Sequence, residues 1–409
     1  MSIGLPCGML VLLLSGCSPR QTDLPFDKVA PQIDSAFLLA NLYPIWRSGK
    51  LAHAPQMSEV FTPTLLDTLY FPPIDSLTEA ALQQQLKLLQ LIKRKRHQKL
   101  ANLNFTTDEL ERVIHLLLLW KSRPEELRKS LLAFQTWGDD RRGNVQFTGY
   151  FTPVLKVRQA PDDEYRYPIY RRPHSWEGPL PTRAQIDGEK VLAGQGLELA
   201  YAADPVDIYY MQVQGSGYVE YLDTGERALL VYDGSNQQPY RSIERYLTER
   251  EDLEVGNLSI NGIKRFLKDH PALRDTVLSQ NPSYIFFAPR GRSVKGAGQV
   301  PLIPEISVAV DHRYLPLGSV LLAACPVYDK YGEVDHHEFR ILLPQDTGGA
   351  IRGPGHLDVY SGVGRAGQSS AGVRNHFGRV WLLMPRAGRE ALVAPLVPSD
   401  TLKVEASTD

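Results

Sequence analysis

Apolar residues recur at helical spacing through DSLTEAALQQQLKLLQLIKRKRHQKL, Asp75 to Leu100, and predict a long amphipathic helix. Thr106 and Glu109 form a capping-box pattern ahead of LERVIHLLLLW, and Ser122 with Glu125 repeats it before LRKSLLAF. The basic run Lys93 to Arg96 reads as the solvated side of a helix. From Asn144 the pattern changes. VQFTGYFTPVL, DIYYMQVQGSGYVEYL and ALLVYDG are rich in aromatic and β-branched residues and punctuated by glycine, so they read as strands. Ser242 to about Ser279 reads as two helices, with Ser259 capping INGIKRFLKDH. Short strands return in SYIFFAP, EISVAVD, GSVLLAA, EFRILL and GRVWLLM. Helices, strands, helices and strands follow one another without a steady βαβ rhythm. That order predicts an antiparallel or barrel architecture in place of a doubly wound sheet.

Composition narrows the class. A chain of 409 residues has room for two domains, and 43% hydrophobic with 22% charged residues describes a soluble globular protein. Lys+Arg 45 against Asp+Glu 46 leaves a net charge of -1, without the basic surplus of a nucleic-acid binder. At the N-terminus, LPCGMLVLLLSGCSPR holds an apolar run, Met9 to Leu14, too short for a bilayer but suited to a signal-peptide core. Its end, LSGC, resembles the lipobox of bacterial lipoproteins, which makes residues 1–16 a signal and Cys17 the lipid-bearing residue. No Lys or Arg precedes Cys17, so the usual positive region is missing. Ser18 in place of Asp directs the expectation to the outer membrane. Residues 17–58 read as a tether and lead-in, and 395–409 as a tail. With Cys7 lost and Cys17 lipidated, Cys325 stands alone and reads as a small buried hydrophobe.

Several kinds of chemistry find no support. The ten histidines form no HExxH or Cys/His cluster, and Asp335, His336 and His337 are adjacent, so on a strand they point to opposite faces. No metal and no cofactor are expected. GVGRAG, Gly362 to Gly367, fits GxGxxG but lacks a following helix pattern and a βαβ unit. GRSVKGAG lacks the Walker frame, and no GxSxG is present. Carboxylates remain. Asp311 opens DHRYLPLGSV, Asp346 opens DTGGAIRG, and Asp358 sits in HLDVYSG, each at a strand end or turn. Glycosidic cleavage needs a carboxyl group to protonate the leaving oxygen. A free Asp, with a pKa of about 3.9, is ionised at neutral pH. Burial or a second carboxylate raises that value. The plainer alternative is that these aspartates cap turns.

Two upstream segments add sugar-binding groups. Gln212 and Gln214 are two apart, so on a strand both amides would project from one face towards hydroxyls or N-acetyl groups. Gly215, Ser216 and Gly217 follow as a turn open to close backbone approach. Tyr150 and Phe151 offer an aromatic surface to pyranose rings, or else belong to a core.

FTGYFTP, YYMQVQGSG, VKGAGQVPL, DHRYLPLGS and QDTGGAIRGPGHLDVYSG, in that order, resemble the membrane-bound lytic murein transglycosylase A family. The last two motifs resemble a module named for three aspartates, here Asp311, Asp346 and Asp358. The resemblance implies a double-psi β-barrel with an inserted β-rich domain; the helical periodicity of about residues 76–137, which lies outside these motifs, adds an N-terminal helical region, for a mainly β fold with helices. The barrel would combine 59–152, which includes the helical region, with 283–394, around an insert at 153–282. It also implies cleavage of the β-1,4 bond between N-acetylmuramic acid and N-acetylglucosamine without water, leaving 1,6-anhydro ends. Asp358 would be the acid and Asp346 its organiser. Tyr150, Phe151, Thr152, Gln212, Gln214, Gly215, Ser216, Gly217, Asp311, Thr347, Gly348 and Gly349 would line the substrate. The implied partners are peptidoglycan glycan strands and a membrane reached through lipidated Cys17, in the envelope facing the periplasm. A two-carboxylate glycoside hydrolase and a non-catalytic glycan-binding lipoprotein are the alternatives.

Overall fold

The computed structural model describes residues 60–393, except for short stretches at 67–68, 93–96, 101–102, 137, 139–142, 257, 330 and 333. The signal segment, Cys17, the tether, Lys93 to Arg96 and the tail lie outside the described residues.

Chain order begins with β1 (Phe61–Thr64), α1 (Ser76–Ile92), β2 (His97–Leu100), β3 (Leu103–Thr106), α2 (Thr107–Leu119), α3 (Pro124–Ser130), β4 (Leu131–Thr136) and β5 (Val145–Thr152). It continues with β6 (Val154–Arg158), β7 (Tyr167–Tyr170), β8 (Glu198–Ala202), α4 (Pro205–Gln214), β9 (Ser216–Tyr221) and β10 (Arg227–Ser235). Three helices, α5 (Ile243–Thr248), α6 (Ile260–Asp269) and α7 (Pro271–Ser279), lead to β11 (Ile285–Pro289). The last stretch holds β12 (Ser307–Ala309), β13 (Leu321–Tyr328), β14 (Val334–Asp346), β15 (His356–Val363), α8 (Gly364–Gly372) and β16 (Asn375–Pro385).

Two sheets carry the fold. In the first, β16 pairs with both β13 and β5, so β5, β16, β13, β14, β12 and β15 close into a ring, with β4 and β1 continuing outward from β16. Within the ring β12/β14 and β15/β5 run parallel and the other pairs antiparallel. The second sheet orders β11, β10, β9, β6, β8 and β7. Only Pro153 separates β5 of the first sheet from β6 of the second.

The largest core belongs to the ring. Trp381, Leu322, Phe147, Val308 and Leu343 pack there with Leu82 of α1 and Leu110, Val113, Ile114 and Leu117 of α2. The spacing of those α2 residues is the i, i+3, i+4, i+7 stripe of a helix that buries one face. Burying each such side chain contributes about 1.5–3 kcal/mol. Hydrogen bonds also fix α1 to the ring: Gln85 Nε2 donates to Ser319 O at 2.6 Å, and Gln345 Nε2 donates to Gln85 Oε1 at 2.9 Å.

Some local readings hold and others fail for identifiable reasons. Thr106 and Glu109 make the capping box, with Glu109 N donating to Thr106 Oγ1 and Thr106 N to Glu109 Oε2. The box expected at Ser122 and Glu125 is absent: Pro124 takes the first helical position, which leaves Arg123 as the cap. Ser259 caps α6 through Gly262 N. Pro271 interrupts the helical run after His270, so the Ser242–Ser279 region forms three helices where two were expected. GVGRAG is followed by a helix after all, since α8 starts at its second glycine.

The largest correction concerns IYYMQVQ. Expected as a strand, it forms α4. Asp204 caps it by accepting from Val206 N, Pro205 opens it, and Gly215 at φ +79° closes it in the left-handed conformation. These end signals outweigh the strand propensity of Ile and Tyr inside. Gln212 and Gln214 therefore do not share a face.

Candidate active site

Five neighbouring strands place one residue each in a single row. Ala309 of β12 is the register partner of Asp346 on one side and of Asp358 on the other. Asp358 pairs in turn with Thr148 of β5, which pairs with Asn375 of β16. A bulge makes this row possible. Val308 faces Pro344 but Ala309 faces Asp346, so Gln345 is the extra residue. Gln345 is fully buried and accepts from Ser307 Oγ at 2.6 Å, while Asp346 turns to the same side as Asp358.

Asp358 is half-buried. Its Oδ1 accepts from Thr148 Oγ1 at 2.8 Å, and Thr148 Oγ1 also lies 2.8 Å from His356 Nε2. Burial pushes the Asp358 carboxyl up to about 7 against the pull of the Thr148 hydrogen bond; the charge of Asp346 pushes it further and Arg374 opposes. A side chain desolvated that strongly while still touched by solvent suits the floor of a cleft. Around pH 7 a large fraction of it keeps its proton, and below that it is mostly neutral.

Asp346 has a different environment. Its Oδ1 accepts from Ala297 N and Thr347 N, each at 2.8 Å, and its Oδ2 accepts from Tyr150 Oη at 2.9 Å. Burial raises its pKa and these three donors pull it back. The net effect is still a raised carboxyl, but three donors favour its charged form and Asp358 has only one, so of the pair Asp358 is the better placed to hold the proton. Burial and the Asp346 charge push the Tyr150 phenol well above its usual range, which keeps it a donor. Ala297 belongs to VKGAGQVPL, whose Gly296 lies so close that an added Cβ would stand 2.5 Å from Gln345 O and 2.9 Å from Asp346 Cβ.

Arg374, which follows α8, is held by Glu305 and Ser370, and Glu305 also accepts from Arg340 Nη1 at 3.0 Å. Gly149 lets α8 approach β5: a Cβ there would stand 2.6 Å from Ala371 Cα and 2.8 Å from Arg374 Cδ.

The residues expected to line substrate divide into several groups. Tyr150, Thr347, Asp346 and Asp358 come together. Gly348 is half-buried and Gly349 exposed just beyond them. Phe151 and Thr152 are buried, so neither offers a surface to a sugar; Thr152 Oγ1 is paired with Tyr360 Oη at 3.0 Å. Gln212 is buried too, and accepts from Arg183 Nη2 at 2.6 Å. Gln214 Oε1 accepts from Phe151 N at 2.9 Å, pinning α4 to the point where the chain leaves the ring. Gly217 is buried against Met211, where a Cβ would meet Sδ at 2.4 Å, so it serves packing. Ser216 opens β9 opposite Val231. Asp311 is 4% exposed and engaged: it accepts from Arg313 Nε and from Gly353 N, the latter at 3.0 Å. It anchors the glycine-rich loop. Cys325 is buried and free. Among the described residues no cluster of three or more His, Cys, Asp or Glu could hold a metal ion.

Thr148, His356 and Arg374 escaped the sequence reading. A signal existed for the first two. Thr148 alternates with Tyr150 and Thr152 on one strand face, and His356 stands two before Asp358, on its side of β15.

Residues 146–288 match the MltA specific insert domain and residues 306–384 the 3D domain. The membrane-bound lytic murein transglycosylase A of Vibrio cholerae is 42% identical over 255 residues, 61% of this chain and 68% of that protein. Its Escherichia coli counterpart is 40% identical over 259 residues, 63% of this chain and 70% of that protein. The crystal structure of E. coli MltA with bound chitohexaose aligns at a TM-score of 0.69 and 31% identity, covering 82% of this chain and 97% of that one. The Agrobacterium tumefaciens membrane-bound lytic murein transglycosylase aligns at 0.63 and 28% identity, over 76% and 94%. The overall fold is thus shared with these proteins, the second sheet lies almost wholly within the matched insert, and the chain belongs to the membrane-bound lytic murein transglycosylase A family.

Proposed function

We propose that this protein is a lytic transglycosylase that cleaves the β-1,4 bond between N-acetylmuramic acid and N-acetylglucosamine in peptidoglycan without adding water. Asp358, in the protonated form that its raised pKa keeps populated near pH 7, donates its proton to the glycosidic oxygen as that bond breaks. The C6 hydroxyl of the muramyl residue attacks its own C1, and the Asp358 carboxylate takes the hydroxyl's proton. The product ends in a 1,6-anhydro ring, and the acid is regenerated with no net proton change. An attacking group within the substrate has a high effective molarity, so no second protein group is needed to activate water.

One observation carries this reading. Burial raises both carboxyls of the row, but three donors oppose that rise at Asp346 and commit both its oxygens to hydrogen bonds, whereas Asp358, pushed up to about 7, has Thr148 as its one donor among the described residues. A hydrolase would need Asp346 free to bind and deprotonate water. The names of the relatives and the chitohexaose bound by E. coli MltA support a glycan substrate. In this reading the closed ring is a double-psi β-barrel built from 59–152 and 283–394. Residues 153–282 form the insert, and the glycan lies between them, over Tyr150 and the Thr347–Gly349 turn. Cys17 carries lipid and holds the protein on the outer membrane, facing the periplasm; among the described residues no helix is long and apolar enough to cross a membrane.

The test is a mass spectrum of fragments released from purified murein. Anhydro ends, lighter by one water than reducing ends, are expected. Reducing ends would establish the hydrolase instead, and intact murein a binding protein.

A further inference from the structure

His356 has no part in the reaction as written, yet it is two hydrogen bonds from the acid. On β15 it is the register partner of Gln146, and Asp358 that of Thr148. The three groups form a chain: His356 Nε2 to Thr148 Oγ1, 2.8 Å, and Thr148 Oγ1 to Asp358 Oδ1, 2.8 Å. Asp358 Oδ2 accepts no hydrogen bond from a described residue.

A hydroxyl has one proton to give. If Thr148 gives it to Asp358 Oδ1, the contact with His356 must be filled by a proton on Nε2. If Nε2 is bare, Thr148 donates to the ring and accepts from Asp358 Oδ1. In that second arrangement the acid's proton is turned inward, away from any sugar. The tautomer of His356 therefore decides which oxygen of the acid carries its proton.

We propose that His356 is a positioning residue: its Nε2–H donates to Thr148 Oγ1, turns the Thr148 proton onto Asp358 Oδ1, and leaves the acid's own proton on Oδ2, open to the glycosidic oxygen. The inference rests on the reading of Asp358 as the acid. Burial supports it by pushing the His356 imidazole down to about 4, so the ring is neutral and has one N–H to place. Other groups acting on Asp358 are Asp346 from β14 and Arg374 after α8, while Tyr150 of β5 stays neutral beside it. None of them donates to the Asp358 carboxylate, so Thr148 is its one donor among the described residues.

Four variants test the chain: His356→Leu, His356→Gln, Thr148→Val and the double variant His356→Leu/Thr148→Val, each checked for folding by its melting curve. Wild type first has to release anhydro products; failure there sinks the transglycosylase reading and not this one in particular. Given an active wild type, His356→Leu lowers kcat about tenfold or more with KM within about twofold. It also moves the alkaline limb of the pH profile upward, because a hydroxyl no longer held on the carboxylate opposes burial less. Gln, whose amide N–H2 reaches a similar place, restores both. In the Thr148→Val background His356→Leu has no further effect. An unchanged kcat and limb in folded His356→Leu, or additive effects in the double variant, overturn the proposal. Should the Leu variant not fold, 15N-histidine spectra of wild type decide. A protonated Nε2 on the signal lost in His356→Gln supports the chain, and a bare Nε2 overturns it.

Discussion

Asp346 and Asp358 stand on either side of Ala309, each its register partner, one from the parallel neighbour β14 and the other from antiparallel β15. Their closeness has a sign. The charge of Asp346 adds to burial in raising the Asp358 carboxyl to about 7. An acid catalyst must be protonated, so activity falls as pH rises through that value. Asp346→Asn removes a negative neighbour, lowers the Asp358 pKa and moves the alkaline limb of kcat/KM to lower pH. Pre-steady-state or initial-rate profiles from pH 5 to 9 on purified murein would show the shift. An upward shift, or none, would mean that the two carboxyls do not interact.

Asp358→Asn keeps the shape of the side chain and an oxygen for Thr148, but it has no proton to give. A loss of about 10²-fold or more in kcat is expected, in line with removal of a general acid. The same change should stabilise the fold at alkaline pH. A carboxyl whose folded pKa is raised contributes its full stability below the unfolded value near 4, and loses it as pH rises through 7. The neutral amide escapes that loss. Melting curves should place the variant above wild type at pH 8 by at least about 1 kcal/mol, with the gap closing towards pH 4. Equal melting at both pH values would argue against a strained, protonated acid.

The parts of this site that were legible in the sequence share a feature: their chemistry sits in runs with local punctuation. The ring strands showed as β-branched and aromatic stretches bounded by glycine and proline, and Asp358 and Asp346 showed as carboxyls beside a glycine-rich turn. What was hidden depended on distant partners. Nothing local says that Gln345 is a bulge, because the bulge exists only against Val308 and Ala309, nearly forty residues earlier. Thr148 and His356 look like solvent-facing strand residues until β5 and β15 lie side by side. The β-branched and aromatic residues from Ile208 to Val213 favour a strand that would align Gln212 with Gln214, but the cap at Asp204, the proline after it and the closing Gly215 make the segment a helix.

Asp311 is one of the three aspartates, but its work is structural. Burial alone would raise its carboxyl; Arg313 and the N–H groups of Gly353 and Arg313 outweigh that and hold it at about 2. A depressed folded pKa contributes stability above the unfolded value near 4, and that stability is lost as pH falls towards 2. Asp311→Asn should therefore cost up to about 2 kcal/mol at pH 7 and little at pH 2.5, read by urea unfolding. Because Asp311 grips Gly353, the variant should also loosen the turn between Asp346 and Asp358, raising amide exchange at 347–355. A penalty that stays constant with pH would assign the effect to packing and not to charge.

Arg183 is the corresponding anchor in the second sheet's region, and it tests whether Gln212 is structural. The guanidinium is 3% exposed, lies 4.8 Å from the Tyr209 ring and 5.1 Å from the Tyr284 ring, and donates to Asn281 O, Ser283 O, Gln212 Oε1 and Asp187 Oδ2. A planar fork satisfies four acceptors in different directions while its faces stack on rings; a lysine ammonium brings three donors to one point and stacks poorly. Arg183→Lys should destabilise by about 2–3 kcal/mol even though charge is kept, since buried acceptors lose their donors. Gln212→Leu removes one of those acceptors and leaves Arg183 its other three partners, so a smaller cost is expected. If Gln212 instead faced glycan, Gln212→Leu would raise KM at unchanged stability. Urea midpoints and KM on murein, measured for both variants, separate the two roles.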